Sequence, residues 1–480
     1  MRTRLLGLLL ALGACGDDGG GMGDAGPPGP GAASLAQVVS YEGHPSLVNA
    51  LTTADGADLS GAVVEVEAGS PIEIVEQRCT AARCGLVLRI QDTVPNRGQP
   101  VPAPIDGTNH FVDLRTADGS EYRALLSVLP LDTLSVRGTT PASVGQAVAL
   151  ASGLEVEAGA AFRAGTDAPL RWVVFGDARV AGTADLGPGE DGPVAGGLAG
   201  GAAGADATGE GAGAAGEGGA GAGGGGFVEA GAAGDGADDT PGEGGAGGEA
   251  WATGALRCLA DFGAGTCGGG GGGGATGAGG AGAGSMLLVA LGTLDLGGAT
   301  LQAIGAAGGE GAGGGAGGGF LLAGRSVVAP TTSVDVSGGA GEGRGGDGGA
   351  GALRLDAPGG EATVTGPAEG LSVGPSVELS GLSPLTDQPT LTLEGRAAAD
   401  AMVAVDRDGA AVATGAADAS GAWSLEVSLE PGLNRLAVVQ VLEDGTRLRS
   451  WTGNNVELGP VSGAPRPFPI GATVDVVYLP

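Results

Sequence analysis

Between residues 187 and 284 glycine fills 42 of 98 positions, and the run "GGGGGGG" at 268–274 leads almost directly into the apolar stretch "SMLLVALGTLDLGG". No other feature limits the fold as strongly. A stretch with so few side chains has little to bury. Ordering glycine also costs more entropy than ordering any other residue, which favours disorder. The alternative is a set of extended helices with three residues per turn, lying side by side, because glycine at each contact lets backbones approach closely. The sequence leaves both outcomes open. Structureless loops of this length are uncommon in compact domains. Over the whole chain glycine supplies 106 of 480 residues and aromatics only 3%, so a conventional core of Leu and Phe cannot extend along its full length.

The apolar segments next to the glycine tracts repeat. "WVVFGDARVAGTADLG" begins at Trp172, "MLLVALGTLDLGGATLQAIG" at Met286 and "FLLAGRSVVAPTTSVDVSGG" at Phe320. Each contains a short apolar run, a small-residue break, an alternating segment and a closing glycine. Met286 to Ala290 aligns with Phe320 to Gly324, and Leu321 with Leu353. Alternation over three to five residues favours short strands. Strands this short bury a face only when similar units stack, so the repeat predicts a solenoid. Leu154, Phe162, Val173, Leu288, Leu294, Leu296, Leu301, Leu321, Val334 and Leu353 are expected in its inward column, with Leu288 and Leu296 in adjacent strands of one coil. The rhythm resembles right-handed parallel β-helices, specifically glycine-rich bacterial surface versions. That resemblance implies an all-β β-helix over residues 141–370 with long glycine-rich loops at 187–284, 305–319 and 337–351. The segment "EAWATGALRCLADFGAGTC" from Glu249 carries Trp251, Leu256, Leu259 and Phe262 and is expected to dock back on the body.

Strand-like runs separated by turn signals predict an N-terminal β-sandwich-like domain over 35–140. Near the other end, Gly395, "DASGAWS" (Asp418, Gly421, Trp423) and "PGLNRLAV" (Gly432, Asn434) resemble bacterial Ig-like β-sandwich repeats. The resemblance implies a C-terminal Ig-like domain, with a final strand, over 371–480. In that family Asp and Gly shape a hairpin turn and the Trp packs in the core.

The chain opens "MRTRLLGLLLALGAC": a basic start, then a short apolar run, too short to span a bilayer and typical of a secretory signal. Leu12-Gly13-Ala14-Cys15 resembles the lipobox of bacterial lipoproteins. The resemblance implies a signal peptide at 1–14, lipidation of Cys15 and attachment to the bacterial cell envelope, most simply as an outer-membrane lipoprotein facing periplasm or surface. Residues 15–34 then form a flexible tether. Export implies an oxidising compartment, so Cys79 with Cys84 and Cys258 with Cys267 are expected as two local disulfides.

The chemistry expected of the chain is mostly negative. Net charge is −32 and Lys is absent, which argues against nucleic acid as a partner and removes lysine-based catalysis. Only two His are present, and the Gly–Asp stretches fail the calcium nonapeptide pattern, so no metal and no cofactor is expected. Asp185, Asp295 and Asp335 recur in the repeat. They read as outward residues between inward apolar ones rather than as a catalytic ladder. The function expected is a non-enzymatic, lipid-anchored envelope protein. Its partners would be the membrane, through the lipid, and a cell-surface or extracellular polysaccharide or protein. The competing expectation is a polysaccharide lyase or glycoside hydrolase on the β-helix.

Overall fold

A computed structural model describes residues 33–41, 45–53, 55–66, 68, 72–90, 108–128, 134–138, 141–144, 148–151, 153–174, 176–189, 192–216, 220–236, 244–250, 268–329, 332–356, 364–365, 372–373, 377–380, 382–441, 445, 447–453, 455–459 and 468–480. Among them all regular secondary structure is β. Cys15, Cys258, Cys267 and the apolar segment at 251–267 lie outside the described residues.

The N-terminal region contains β1 (Ala33–Tyr41), β2 (Pro45–Thr53), β3 (Val63–Val66), β4 (Ile72–Cys79), β5 (Cys84–Ile90), β6 (Thr108–Arg115) and β7 (Glu121–Val128). These strands are antiparallel, in the orders β1-β2-β5-β4 and β3-β6-β7. Cys79 and Cys84 face each other across the β4–β5 turn and form a disulfide.

Parallel pairing begins at β8 (Leu134–Val136) and β9 (Ala142–Val144). It continues through β10 (Val148–Ala151), β11 (Leu154–Val156), β12 (Ala161–Ala164), β13 (Leu170–Val174), β14 (Ala178–Val180) and β15 (Thr183–Asp185). The glycine-rich region follows. The solenoid then resumes with β16 (Ser285–Asp295), β17 (Thr300–Gln302), β18 (Gly319–Val328), β19 (Thr332–Asp335), β20 (Ala352–Asp356), β21 (Val364–Thr365) and β22 (Ser372–Val373). One sheet stacks β22-β20-β18-β16-β14-β11-β8, with β10 and β13 beside it. The other stacks β21-β19-β17-β15-β12-β9. The fold is therefore all-β and β-helix-like, with two parallel sheets enclosing a core.

That core contains Leu154, Phe162, Trp172, Leu288, Leu294, Leu296, Leu301, Phe320, Val334 and Leu353. Phe162 stacks on Trp172 with ring centroids 5.3 Å apart. Met286↔Phe320 and Leu287↔Leu321 are register partners, as the repeat predicts. The next coil differs by one residue, because Phe320 faces Leu353 and Leu321 faces Arg354. Leu321 and Val173 are fully buried but stand outside the inward cluster, on the other face of their sheet. The physical reason is that the opening residues of β16 and β18 are apolar on both faces, and β13 sets Val173 beside Trp172 and Val174, so alternation does not mark an inside. Leu288 and Leu296 both enter the core, but from one long strand and the turn after it. The coil before divides this edge into β13 and β14, whereas β16 runs through with a register shift between Ala290 and Thr293.

The C-terminal region contains β23 (Glu378–Leu379), β24 (Leu385–Thr386), β25 (Thr390–Arg396), β26 (Met402–Arg407), β27 (Ala410–Ala416), β28 (Ala422–Ser428), β29 (Gly432–Val441), β30 (Arg447–Arg449), β31 (Asn455–Gly459) and β32 (Phe468–Tyr478). The sheet β23-β25-β28 faces the sheet that holds β27-β26-β29-β32, with Trp423, Leu393, Val405, Leu436 and Val474 between them. The quoted motif residues build its turns. The Asp418 carboxylate accepts the N–H groups of Ser420 and Ala422 at 2.8 and 3.0 Å, and Gly421 takes a φ of +83°. The Asn434 amide donates to the carbonyls of Glu430 and Gly432 at 2.7 and 3.1 Å. The two ends of the chain also meet. Ala50, Val87, Leu385, Val477 and Leu479 form one buried cluster.

Candidate functional site

The recurrent aspartates are the first place to look for chemistry. Each is used by its own turn. Asp185 accepts the N–H of Gly187 at 2.9 Å, Asp295 that of Gly297 at 2.9 Å, and Asp335 that of Ser337 at 3.2 Å. This i→i+2 pattern closes an Asx turn where a strand ends. Asp185 also receives both Nε and Nη2 of Arg163, at 2.9 and 2.6 Å. The three do not form a ladder. Asp185 and Asp335 share a column with Gln302 between them, whereas Asp295 lies in the other sheet, opposite Arg179. Among the described residues no three His, Cys, Asp or Glu side chains converge as a metal-holding group. A fully enclosed ion pair sits on β20, where Arg354 reaches both oxygens of Asp356 at 2.7 and 2.8 Å. Burial pushes the Asp356 carboxyl above the ordinary carboxylate range, against the pull of Arg354.

The glycine-rich region holds the most distinctive construction in the molecule. Its described residues pack as extended segments bonded to one another mainly through the backbone, without helices or β-ladders and with only the isolated bridges Gly189↔Gly192 and Glu310↔Glu342 among them. Residues 220–226 show the rule. Gly221 and Gly224 donate to Asp235 and Ala232, Ala222 and Gly225 to Gly311 and Gly314, and Gly223 and Gly226 to Ala214 and Gly211, all at 2.8–3.0 Å. Donors three apart thus share one neighbour, which is the period of a polyproline II-type helix. Their carbonyls accept from three more neighbours: Gly245 and Gly248, Gly269 and Gly272, and Gly346 and Gly349. One segment is therefore enclosed by six others. Residues 311–318 form a second such centre. They donate to 269–272, 346–349 and 303–306, and accept from 222–225, 280–283 and 339–342.

This geometry explains the composition. A buried backbone must satisfy every N–H and C=O, and here each of residues 221–226 does so through other backbone groups. A Cβ on Gly223 would lie 2.1 Å from the Ala246 carbonyl oxygen, and one on Gly271 2.2 Å from that of Gly313. Methyl groups fit at other points, since Ala222, Ala312 and Ala316 are fully buried. The seven-glycine run contributes a buried segment, and the chain reverses after it at the exposed Ala275 and Thr276. Of the two outcomes left open by the sequence, the described residues show side-by-side packing. The solenoid makes it feasible. Residues 303–318 leave β17 and return to β18, and residues 337–351 leave β19 and return to β20. Each hairpin is thereby delivered one strand spacing, about 4.8 Å, from the last. Sequence reasoning located the tracts but missed the six-neighbour centres. The available signal was the spacing of Ala among Gly in "GAGGGAGG" at 311–318.

No family model, curated protein or solved structure matches the chain. No helix among the described residues is long and apolar enough to cross a membrane.

Proposed function

We propose that the chain is a non-enzymatic, lipid-anchored protein of the bacterial cell envelope that presents a rigid β-solenoid and glycine bundle in a structural or binding role. The anchor reading rests on Leu12-Gly13-Ala14-Cys15 at the end of the apolar leader. The presenting role is supported by one observation above the others: the centres of the bundle are held by backbone hydrogen bonds between glycine-rich segments, a construction that gives shape and stiffness without a reactive group. The three recurrent aspartates support the same reading, since each holds a turn. The bound partner would be a surface or extracellular polysaccharide or a protein.

Two measurements test this. Detergent phase separation of cells making Cys15→Ser should move the protein from the membrane to the aqueous fraction; retention in membranes overturns the anchor. A glycan and surface-binding screen of protein lacking residues 1–32, run beside a lyase and hydrolase panel, should give binding without turnover. Turnover of a polysaccharide would instead establish the β-helix enzyme.

A further inference from the structure

The N-terminal β4–β5 hairpin is docked on the C-terminal strands, and its docked tip carries the disulfide. Gly85, next to Cys84, lies so close to β24 and the end of the chain that a Cβ there would be 2.9 Å from Leu385 and 3.1 Å from Leu479. The Arg83 guanidinium rests against Gly432, where a Cβ would fall 2.5 Å from its Nη1. Arg78 pairs with Asp387 at 3.8 Å. Behind the tip, the carbonyl of Ala81 accepts the N–H of Leu59 at 3.1 Å. The tip spans only the four residues between Cys79 and Cys84, and it is closed by their disulfide and by the Thr80 N–H, which donates to the Arg83 carbonyl at 2.8 Å. The two sulfur-bearing residues differ in access: Cys84 is fully buried, whereas Cys79 is partly exposed.

We propose that this hairpin is a redox-operated clasp between the two ends of the chain, opened by thiol–disulfide exchange with a dithiol reductant. The thiolate of the reductant attacks Sγ of Cys79, the less buried of the two residues. The Cys79–Cys84 bond breaks, and Cys84 leaves as a thiolate that takes up a proton. The second thiol of the reductant then attacks the mixed disulfide. Cys79 leaves as a thiolate and takes up the second proton, so the products are the Cys79 and Cys84 thiols and the reductant as a cyclic disulfide, two electrons having passed from reductant to protein. Without the bond the tip loses its fixed shape, and Arg83 and Gly85 lose their seats on β29, β24 and the last residues. The solenoid and its bundle share no residue with this contact and stay closed.

Hydrogen exchange on the full chain tests the clasp, with the oxidised protein compared with protein treated with dithiothreitol and with a Cys79→Ser/Cys84→Ser variant. Treated protein and variant should both exchange at least tenfold faster at residues 57–62, 385–388 and 477–479, with β16 and β18 unchanged. Equal exchange in the oxidised and variant proteins overturns the proposal, as does acceleration spread evenly over the chain, which would make the disulfide a general brace. Arg83→Ala in the oxidised protein supplies a second reading. It should loosen residues 432–434 and 477–479 with the disulfide intact, and no change there would show that the tip is not what holds the ends together.

Discussion

At the scale of single residues the glycine tract divides into positions that admit no side chain and positions that do. Gly271 lies inside the bundle, with the Gly313 carbonyl where its Cβ would go, while Ala275 lies at an exposed turn four residues on. Gly271→Ala should therefore destabilise by about 1–3 kcal/mol, as overpacking does elsewhere, and lower the melting temperature. Ala275→Asp should leave it unchanged within error. Within the tract only the turns should tolerate a charge. The buried ion pair yields a second contrast. Asp356→Leu leaves the Arg354 charge without its carboxylate and should cost about 3–5 kcal/mol, whereas Arg354→Met/Asp356→Leu should cost much less. The sign of the pH dependence follows from burial, which raises Asp356 in the fold. The stability it contributes is complete below the unfolded value of 3.8 and is lost as pH rises through its higher folded value. Chemical denaturation of Asp356→Asn and wild type across acid pH would check this, with the difference shrinking toward low pH.

At the scale of elements, much of the solenoid was legible and the bundle was not. Met286 and Phe320 align because each opens an apolar run just after a glycine tract, and they are direct register partners. Leu321 does not pair with Leu353, because β18 opens with the consecutive apolar residues Phe320, Leu321 and Leu322, whose alternation marks no inner face; the marker is on β20, where Arg354 and Asp356 alternate with the inward Leu353 and Leu355. The turns of the C-terminal sandwich were legible because Asp418, Gly421 and Asn434 act locally, through neighbours two to four residues away. The bundle rests instead on contacts between residues far apart in sequence, such as Ala222 with Gly311. Glycine carries no pattern that would name its partner. The function of 220–226 as a centre implies that deleting residues 198–250 does more than shorten a loop. The solenoid core lies mostly outside the deletion and should remain folded by circular dichroism. The amides of Gly314, Gly346 and Gly349, each bonded to the deleted centre or its neighbours, should lose at least tenfold in exchange protection. Unchanged protection would mean that each hairpin is held by the solenoid alone.

At the scale of the whole molecule the last strand serves two cores. On β32, Val474 and Val476 point into the sandwich with Trp423, while Val477, followed by Leu479, belongs to the cluster that joins the two ends of the chain. The same strand pairs along β29, β31 and β24. It is therefore both the closing element of the sandwich and the surface on which the N-terminal hairpin rests, and the alternation of its side chains separates the two tasks. Substitution on one face should disturb one task. Val476→Asp places a charge among Leu436, Val438 and Trp423, so it should unfold the sandwich and shift the emission of Trp423 to the red. Leu479→Asp, fully buried in the other cluster, should spare the sandwich and its fluorescence but release the N-terminal hairpin, which limited proteolysis would then cut between β4 and β5. If Leu479→Asp unfolded the sandwich as Val476→Asp does, the two clusters would form one cooperative core. The ends of the chain would then be joined by folding rather than by docking.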